Sequence, residues 1–223
     1  MEKYAYYYLL SRSNGVWLER ESVVIRMNNS TIIESLLQKN NGYLKTADVV
    51  SSGVSKSALG EFVRKQNLER VAHGLYISED AWLDQMYIIQ VRYSEAIFSH
   101  ETALYLHKMA EREPLSLSLT LKHGANTTSL LKEGVKVYKV KEELFKKGKI
   151  HILTPMGNPV NVYDIERTVC DLFRYRNKVS IQELQGALKG YVRMKEKNIP
   201  LLMRYAKEFK VEKLISQYLE VLQ

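Results

Sequence analysis

The densest group of potentially reactive side chains is Asp164, Glu166 and Asp171, with Arg167 among them. Acidic residues converging on a cation are what a metal-dependent nuclease requires. The spacing favours another role. Asp164 is placed to cap a helix beginning at Ile165, Glu166 suits the first turn of that helix through its dipole, and Asp171 points elsewhere. His100 and His107 share one helical face, but no cysteine or carboxylate accompanies them at a metal-binding interval. Cys170, the one cysteine, lies in an apolar helical stretch and reads as a small buried side chain rather than a nucleophile. No glycine-rich loop followed by Lys-Ser or Lys-Thr offers a phosphate cradle. No catalytic residue, metal or cofactor is therefore expected, and the chain reads as a binder.

A second set of residues points to what it binds. Lys56, Ser57, Gly60 and Arg64 fall on one face of a helix opened by Ser55, opposite an apolar stripe of Ala58, Leu59, Phe62 and Val63. Cations and hydroxyls on the outer face of such a helix read duplex DNA from the major groove, with the N-terminal end nearest the base edges. Ser55, Lys56, Ser57 and Arg64 are the candidates for that contact. Lys45 and Thr46, at the start of a preceding helix, are placed for phosphate, and Arg70 and His73 for the DNA backbone or the minor groove.

The elements that must position these residues are legible in order. Ile32, Ile33, Leu36 and Leu37 repeat at helical spacing over residues 31–39, with Ser30 as N-cap and Asn41-Gly42 as the stop. Residues 46–50 form a short second helix with Ala47, Val49 and Val50 inward, and Ser51-Ser52-Gly53 supplies a tight corner. Residues 68–77 alternate around Gly74 as a two-stranded wing would. Helix, helix, turn, helix and hairpin make the order of a winged helix-turn-helix.

Beyond it, residues 80–92 read as a helix with Trp82, Leu83, Met86, Tyr87 and Ile89 on its apolar surface, and Ser99 as the N-cap of a helical segment reaching His107. Residues 115–121 alternate as a half-buried strand, residues 135–140 and 151–154 as two more, and residues 155–159 form a proline turn. Helices follow over 164–175, 180–192, 199–209 and 211–222. The fold class expected is α+β, an N-terminal winged helix-turn-helix followed by a small mixed sheet packed with C-terminal helices. Residues 1–26 form a helix-and-strand arm, 27–80 the DNA-binding domain and 81–223 the second domain.

The 223 residues, 45% hydrophobic, can bury a proper core, and a net charge of +8 with pI near 9.3 leans towards nucleic acid. A single cysteine excludes an internal disulfide and fits a reducing cytoplasm. The aromatic run from Tyr4 to Leu10 is too short for a signal peptide core or a membrane span, and no other stretch approaches membrane length. Met27 precedes the first well-capped helix and is an alternative translation start. Residues 132–149 hold seven lysines against three glutamates. Between Arg174 and Lys213 the basic residues include Arg176, Lys178, Lys189, Arg193, Lys207 and Lys210, opposed by Glu183, Glu196, Glu208 and Glu212 alone. Solvated helix faces account for such runs, and so does a second phosphate-facing surface.

Two segments carry a resemblance. Ser99-His-Glu-Thr-Ala-Leu-Tyr-Leu-His107 and Val162-Tyr-Asp-Ile-Glu-Arg-Thr-Val-Cys-Asp-Leu-Phe173, behind a module ending Gly74-Leu-Tyr-Ile77, resemble the AbiEi family. These are the antitoxins of the AbiE abortive-infection systems, classed as type IV toxin–antitoxin pairs. The resemblance spans residues 29–223 and leaves residues 1–26 outside. It implies a repressor of its own operon that binds promoter inverted repeats, with two copies per operator. It also implies a C-terminal domain that opposes a nucleotidyltransferase-like toxin without a stable direct complex and aids DNA contact through positive charge. The competing readings are a ligand-responsive winged-helix regulator, neutralisation by direct toxin binding, and a metal-dependent nuclease using Asp164, Glu166 and Asp171.

Overall fold

The computed structural model of the protein describes residues 4–13, 16–26 and 28–222, with side chains for 28–182 and 184–221. Two compact units divide the chain, Met1–Leu83 and Asp84–Gln223. In the first, β1 (Tyr4–Ser13) and β2 (Val16–Arg26) pair antiparallel, so among the described residues two strands stand where a helix-and-strand arm was expected. Met27, the alternative start, lies outside the described residues.

The rest of this unit runs α1 (Asn29–Lys39), β3 (Tyr43–Lys45), α2 (Thr46–Ser51), α3 (Lys56–Lys65), β4 (Glu69–Ala72) and β5 (Leu75–Ile77). Strand β5 lies between β3 and β4 and pairs antiparallel with both. The three helices and the sheet bury Ile33, Leu44, Val49, Val54, Leu59, Phe62 and Leu68 together. The cap of helix α1 lies two residues earlier than expected. Asn28, not Ser30, accepts the Thr31 amide at 2.8 Å, because an extended Asn is as strong a cap as Ser and satisfies a first-turn N–H. In α2, Ala47 and Val50 face out and Val49 alone is buried. Six residues make less than two turns, so one position faces the core. Gly53, at φ +81°, turns the corner into α3, where the Val54 amide donates back to Val49 O at 3.2 Å.

The second unit comprises α4 (Gln85–Arg92), β6 (Ile97–Phe98), α5 (His100–Leu106), β7 (Ser118–Lys122), α6 (Thr128–Lys132), β8 (Lys136–Val140), α7 (Glu142–Phe145), β9 (Lys149–Leu153), β10 (Pro159–Tyr163), α8 (Ile165–Arg174), a 3-10 turn at Arg176–Lys178, α9 (Ile181–Arg193), α10 (Ile199–Glu208) and α11 (Glu212–Leu222). The sheet order is β8-β7-β6-β10-β9, parallel at β7/β8 and β6/β10 and antiparallel elsewhere. The architecture is α+β. Among the described residues no helix is long and apolar enough to cross a membrane.

Two expectations here need correction. The helix expected from residue 80 starts at Gln85, and Trp82 and Leu83 are 80% and 62% exposed rather than part of an apolar face. The start is set by Asp84, whose Oδ1 accepts the Tyr87 amide while Oδ2 accepts from Thr154 and Asn158 in the buried interior. The strand expected to be half-buried from Leu115 begins at Ser118 and is buried on both faces. Leu117, Leu119 and Leu121 pack with Met86, Ile89 and Leu130. On the opposite face Ser118 donates to Glu101 at 2.7 Å and Thr120 to Ser99 at 2.9 Å. Hydroxyls with partners can be buried at little cost, so alternation does not by itself mark a solvent face.

Candidate nucleic-acid interface

Helix α3 owes its outer face to its inner one. Leu59 and Phe62 are buried and Ala58 and Val63 half-buried, which leaves Lys56, Ser57, Gly60 and Arg64 exposed. Ser55 is the N-cap, its Oγ accepting the Ala58 amide at 3.2 Å and lying 3.0 Å from Ser57 Oγ. Its hydroxyl is thus already part of the helix start, which makes Ser57 the freer of the two serines. Arg64 folds back along its own helix, Nε donating to Gly60 O at 3.3 Å.

The remaining candidates cluster around the β4–β5 turn. Lys45 pairs in register with Leu75, and the Thr46 amide donates to Gly74 O at 2.8 Å. That bond occupies the amide at the helix start from which phosphate contact was expected. Arg70 donates from Nε to Ala72 O at 3.3 Å, and its Nη2 sits 3.0 Å from His73 Nδ1. The structure therefore brings Lys45 and Thr46 beside the turn that carries Arg70 and His73, and gathers Ser55, Lys56, Ser57 and Arg64 on α3.

The carboxylates of the second unit are each held by groups of the fold. Asp164 accepts the Arg167 amide at 2.7 Å and the Tyr205 hydroxyl at 3.2 Å. Burial raises its pKa, and the Asp164 charge helps push the Tyr205 hydroxyl up to about 12, behind burial as the larger cause. Glu166 accepts from the Tyr191 hydroxyl at 3.0 Å and the Asn198 amide at 3.1 Å, tying α8 to α9 and α10. Asp171 binds Arg167. The three do not share a point at which a cation could sit, and among the described residues no group of three His, Cys, Asp or Glu side chains could hold a metal ion. Cys170 is buried, its thiol pKa raised chiefly by that burial, with Sγ directed at Leu202 O.

Reading the sequence missed the weight of two residues. Arg167 is wholly buried, bound to Asp171 and to the carbonyls of Leu144 and Lys147, and its guanidinium lies 4.2 Å from the Tyr163 ring and 4.0 Å from Phe209. Along α8, Ile165, Val169, Leu172 and Phe173 form one apolar stripe and Arg167 and Asp171 fall opposite it, so the pattern places the pair on the polar face and does not announce its burial. His100 is also wholly buried, in the left-handed region at φ +51°, stacked on Tyr138 with centroids 3.5 Å apart. No local pattern announces that.

The basic runs resolve into paired and clustered residues. Lys136 binds Glu101 at 3.1 Å, Lys122 binds Glu142 at 2.9 Å, and Lys147 binds Glu208. Exposed Arg176, Lys207, Lys210 and Lys213 line a concavity of about 350 Å³ together with Glu212. Arg174 belongs to no solvated face: it is half-buried, with its guanidinium 5.7 Å from the Tyr175 ring and 5.8 Å from Phe209.

No family model matches the chain, and no curated protein is similar to it in sequence. Among solved structures it is similar to the RV2827C protein from Mycobacterium tuberculosis, with a TM-score of 0.51 and 12% identity over 79% of this chain and 70% of that one. At that identity the likeness concerns the fold alone.

Proposed function

We propose that the chain is an antitoxin of the AbiEi kind. Its first unit, from α1 to β5, acts as a winged helix-turn-helix that represses its own operon at promoter inverted repeats, and its second unit opposes a nucleotidyltransferase-like toxin. One observation supports this most. The two segments that carry the resemblance meet in space: α5 packs on α8, the His107 ring nitrogen Nε2 lies 2.8 Å from Tyr163 O, and Asp171 is the carboxylate that acts on His100. Short motifs far apart in sequence that fold against each other behave as one structural signature. On the DNA side, an exposed α3 face of Lys56, Ser57 and Arg64 next to a two-stranded turn is what a groove-reading module presents. Inverted repeats require two copies, either as a dimer or as two chains assembling on DNA.

Co-expression with the neighbouring gene tests the reading. Rescue of growth by the whole chain is expected, with rescue retained and repression lost in a Lys56→Ala/Arg64→Ala variant. Failure of the whole chain to rescue growth overturns the antitoxin function. Arg64→Ala alone is expected to weaken operator binding by about 1–3 kcal/mol and to relax preference at one base if Arg64 pairs with guanine. Equal weakening on all duplexes would assign it to phosphate, and unchanged binding would remove it from the interface.

A ligand-responsive regulator is the second reading. A cleft of about 440 Å³ lined by Gln185, Lys189, Gln217, Tyr218 and Val221 favours it, being of the size that takes a small molecule. A neighbouring gene encoding no nucleotidyltransferase-like protein would move the balance towards it.

A further inference from the structure

Gly60 stands in the middle of α3 without either of the usual reasons for a glycine. It is not among the residues of positive φ, and a Cβ built on it would meet no atom of the described residues within 4 Å. Among the described residues nothing excludes a side chain there. A glycine in a helix interior nevertheless costs about 1 kcal/mol relative to alanine. No internal contact among the described residues accounts for the glycine, and a partner approaching the helix backbone would.

Its neighbours indicate from what. Lys56 and Arg64 lie one turn before and one turn after on the same exposed face, with Ser57 beside them. Eight residues of helix place these two cations about 12 Å apart along the axis, with Gly60 midway. The major groove of B-DNA is about 12 Å wide and its floor presents the base edges. A duplex engaged by both cations has to pass over residue 60. Arg64 already lies back across this turn, with Nε on Gly60 O at 3.3 Å.

We propose that Gly60 is the point of closest approach between α3 and duplex DNA, where the absent Cβ lets the helix backbone seat against the base edges while Lys56 and Arg64 engage the DNA on either side. The inference rests on the DNA-binding reading above and adds to it a residue that acts by clearance rather than by contact.

The structure supplies its own control. Gly186, in α9 of the other unit, is likewise exposed, and no atom of the described residues lies within 4 Å of a Cβ built on it. Thermal melting and fluorescence anisotropy would be measured on the full chain, using a duplex of the promoter region upstream of its own gene. Gly60→Ala and Gly186→Ala are both expected to raise the melting temperature by removing a helix-interior glycine. Gly60→Ala is expected to weaken duplex binding about tenfold, and Gly186→Ala to stay within about twofold of wild type. Gly60→Ala binding within about twofold of a DNA-binding wild type overturns the inference and leaves the DNA reading intact. A Gly60→Ala chain that melts below wild type overturns the premise that no internal contact needs the glycine. A wild-type chain that binds no duplex overturns the DNA reading and the inference with it.

Discussion

Arg167→Ala is expected to destabilise the second unit by about 3–5 kcal/mol, a large share of the about 5–15 kcal/mol that keeps a typical domain folded. Arg167 and Asp171 have side chains 0% and 1% exposed and are joined by an Nε–Oδ2 bond of 2.8 Å. A buried charge is tolerated while its counter-charge is in place, and here the margin is thin, because Arg167 Nη2 and Asp171 Oδ1 are buried without a hydrogen bond of their own. Arg167 is the partner of several groups at once. Its Nη1 donates to Leu144 O at 2.7 Å and Lys147 O at 3.1 Å, which anchors the α7–β9 loop to α8. Truncation would leave the Asp171 charge alone in the interior, two carbonyls without donors, and a gap between the Tyr163 and Phe209 rings. Urea unfolding followed by circular dichroism checks the magnitude. A double variant, Arg167→Met with Asp171→Leu, is expected to recover much of the loss, because it removes both charges rather than stranding one. A single-variant cost below about 1 kcal/mol would show that the pair is not the anchor its geometry indicates.

Acidification is expected to weaken the fold between about pH 6.5 and pH 4, with His100 contributing about 3 kcal/mol. Burial pushes the His100 pKa down from 6.5 to about 4, Arg167, Lys136 and Arg174 push in the same direction, and Asp171 opposes them. The ring has no easy way to take a second proton. Its Nδ1 is 3.0 Å from Ser99 Oγ, its faces meet Tyr138 and Tyr175, and Nε2 is buried without a partner. The unfolded chain protonates near pH 6.5 and the folded chain only near pH 4, so between these values the unfolded state holds more protons. The stability tied to neutral His100 is complete above about pH 6.5 and is lost as the pH falls to about 4. Asp164, whose pKa is raised by burial, acts with the opposite sign and blunts the trend. Comparison with His100→Asn isolates the histidine, since Asn tolerates the left-handed φ at this position. Stability curves for the two proteins should converge towards acid. Equal slopes from neutral pH down to about pH 4.5 would remove His100 as the source.

How much of this was legible beforehand depended on how local the cause was. Helix α3 was read correctly because its cap, Ser55, and its apolar positions, Leu59 and Phe62, lie within two turns of one another. Asp164 was read as a cap for the same reason, and it accepts the Arg167 amide as expected. The misreadings share a different character. The start of α4 hangs on Asp84 meeting Thr154 and Asn158, some seventy residues away. The burial of β7 depends on Glu101 and Ser99 being brought against Ser118 and Thr120. The Thr46 amide is taken by Gly74 because β3 and β5 pair. In each case a polar group looked exposed in sequence and found its partner across the fold.

The sequence by itself determined the α+β class, the basic charge, the outer face of α3 and the capped start of α8. These follow from periodicity and from capping chemistry that acts over three or four residues. Tertiary structure alone decided that Arg167 and His100 are interior residues, that Asp164, Glu166 and Asp171 are held by groups of the fold without meeting at one point, and that among the described residues nothing requires Gly60 to be bare. The physical reason is that the state of a polar side chain is set by whether another group meets it out of water. Spacing along the chain specifies the face on which such a residue lies, and only the packed fold specifies what that face meets.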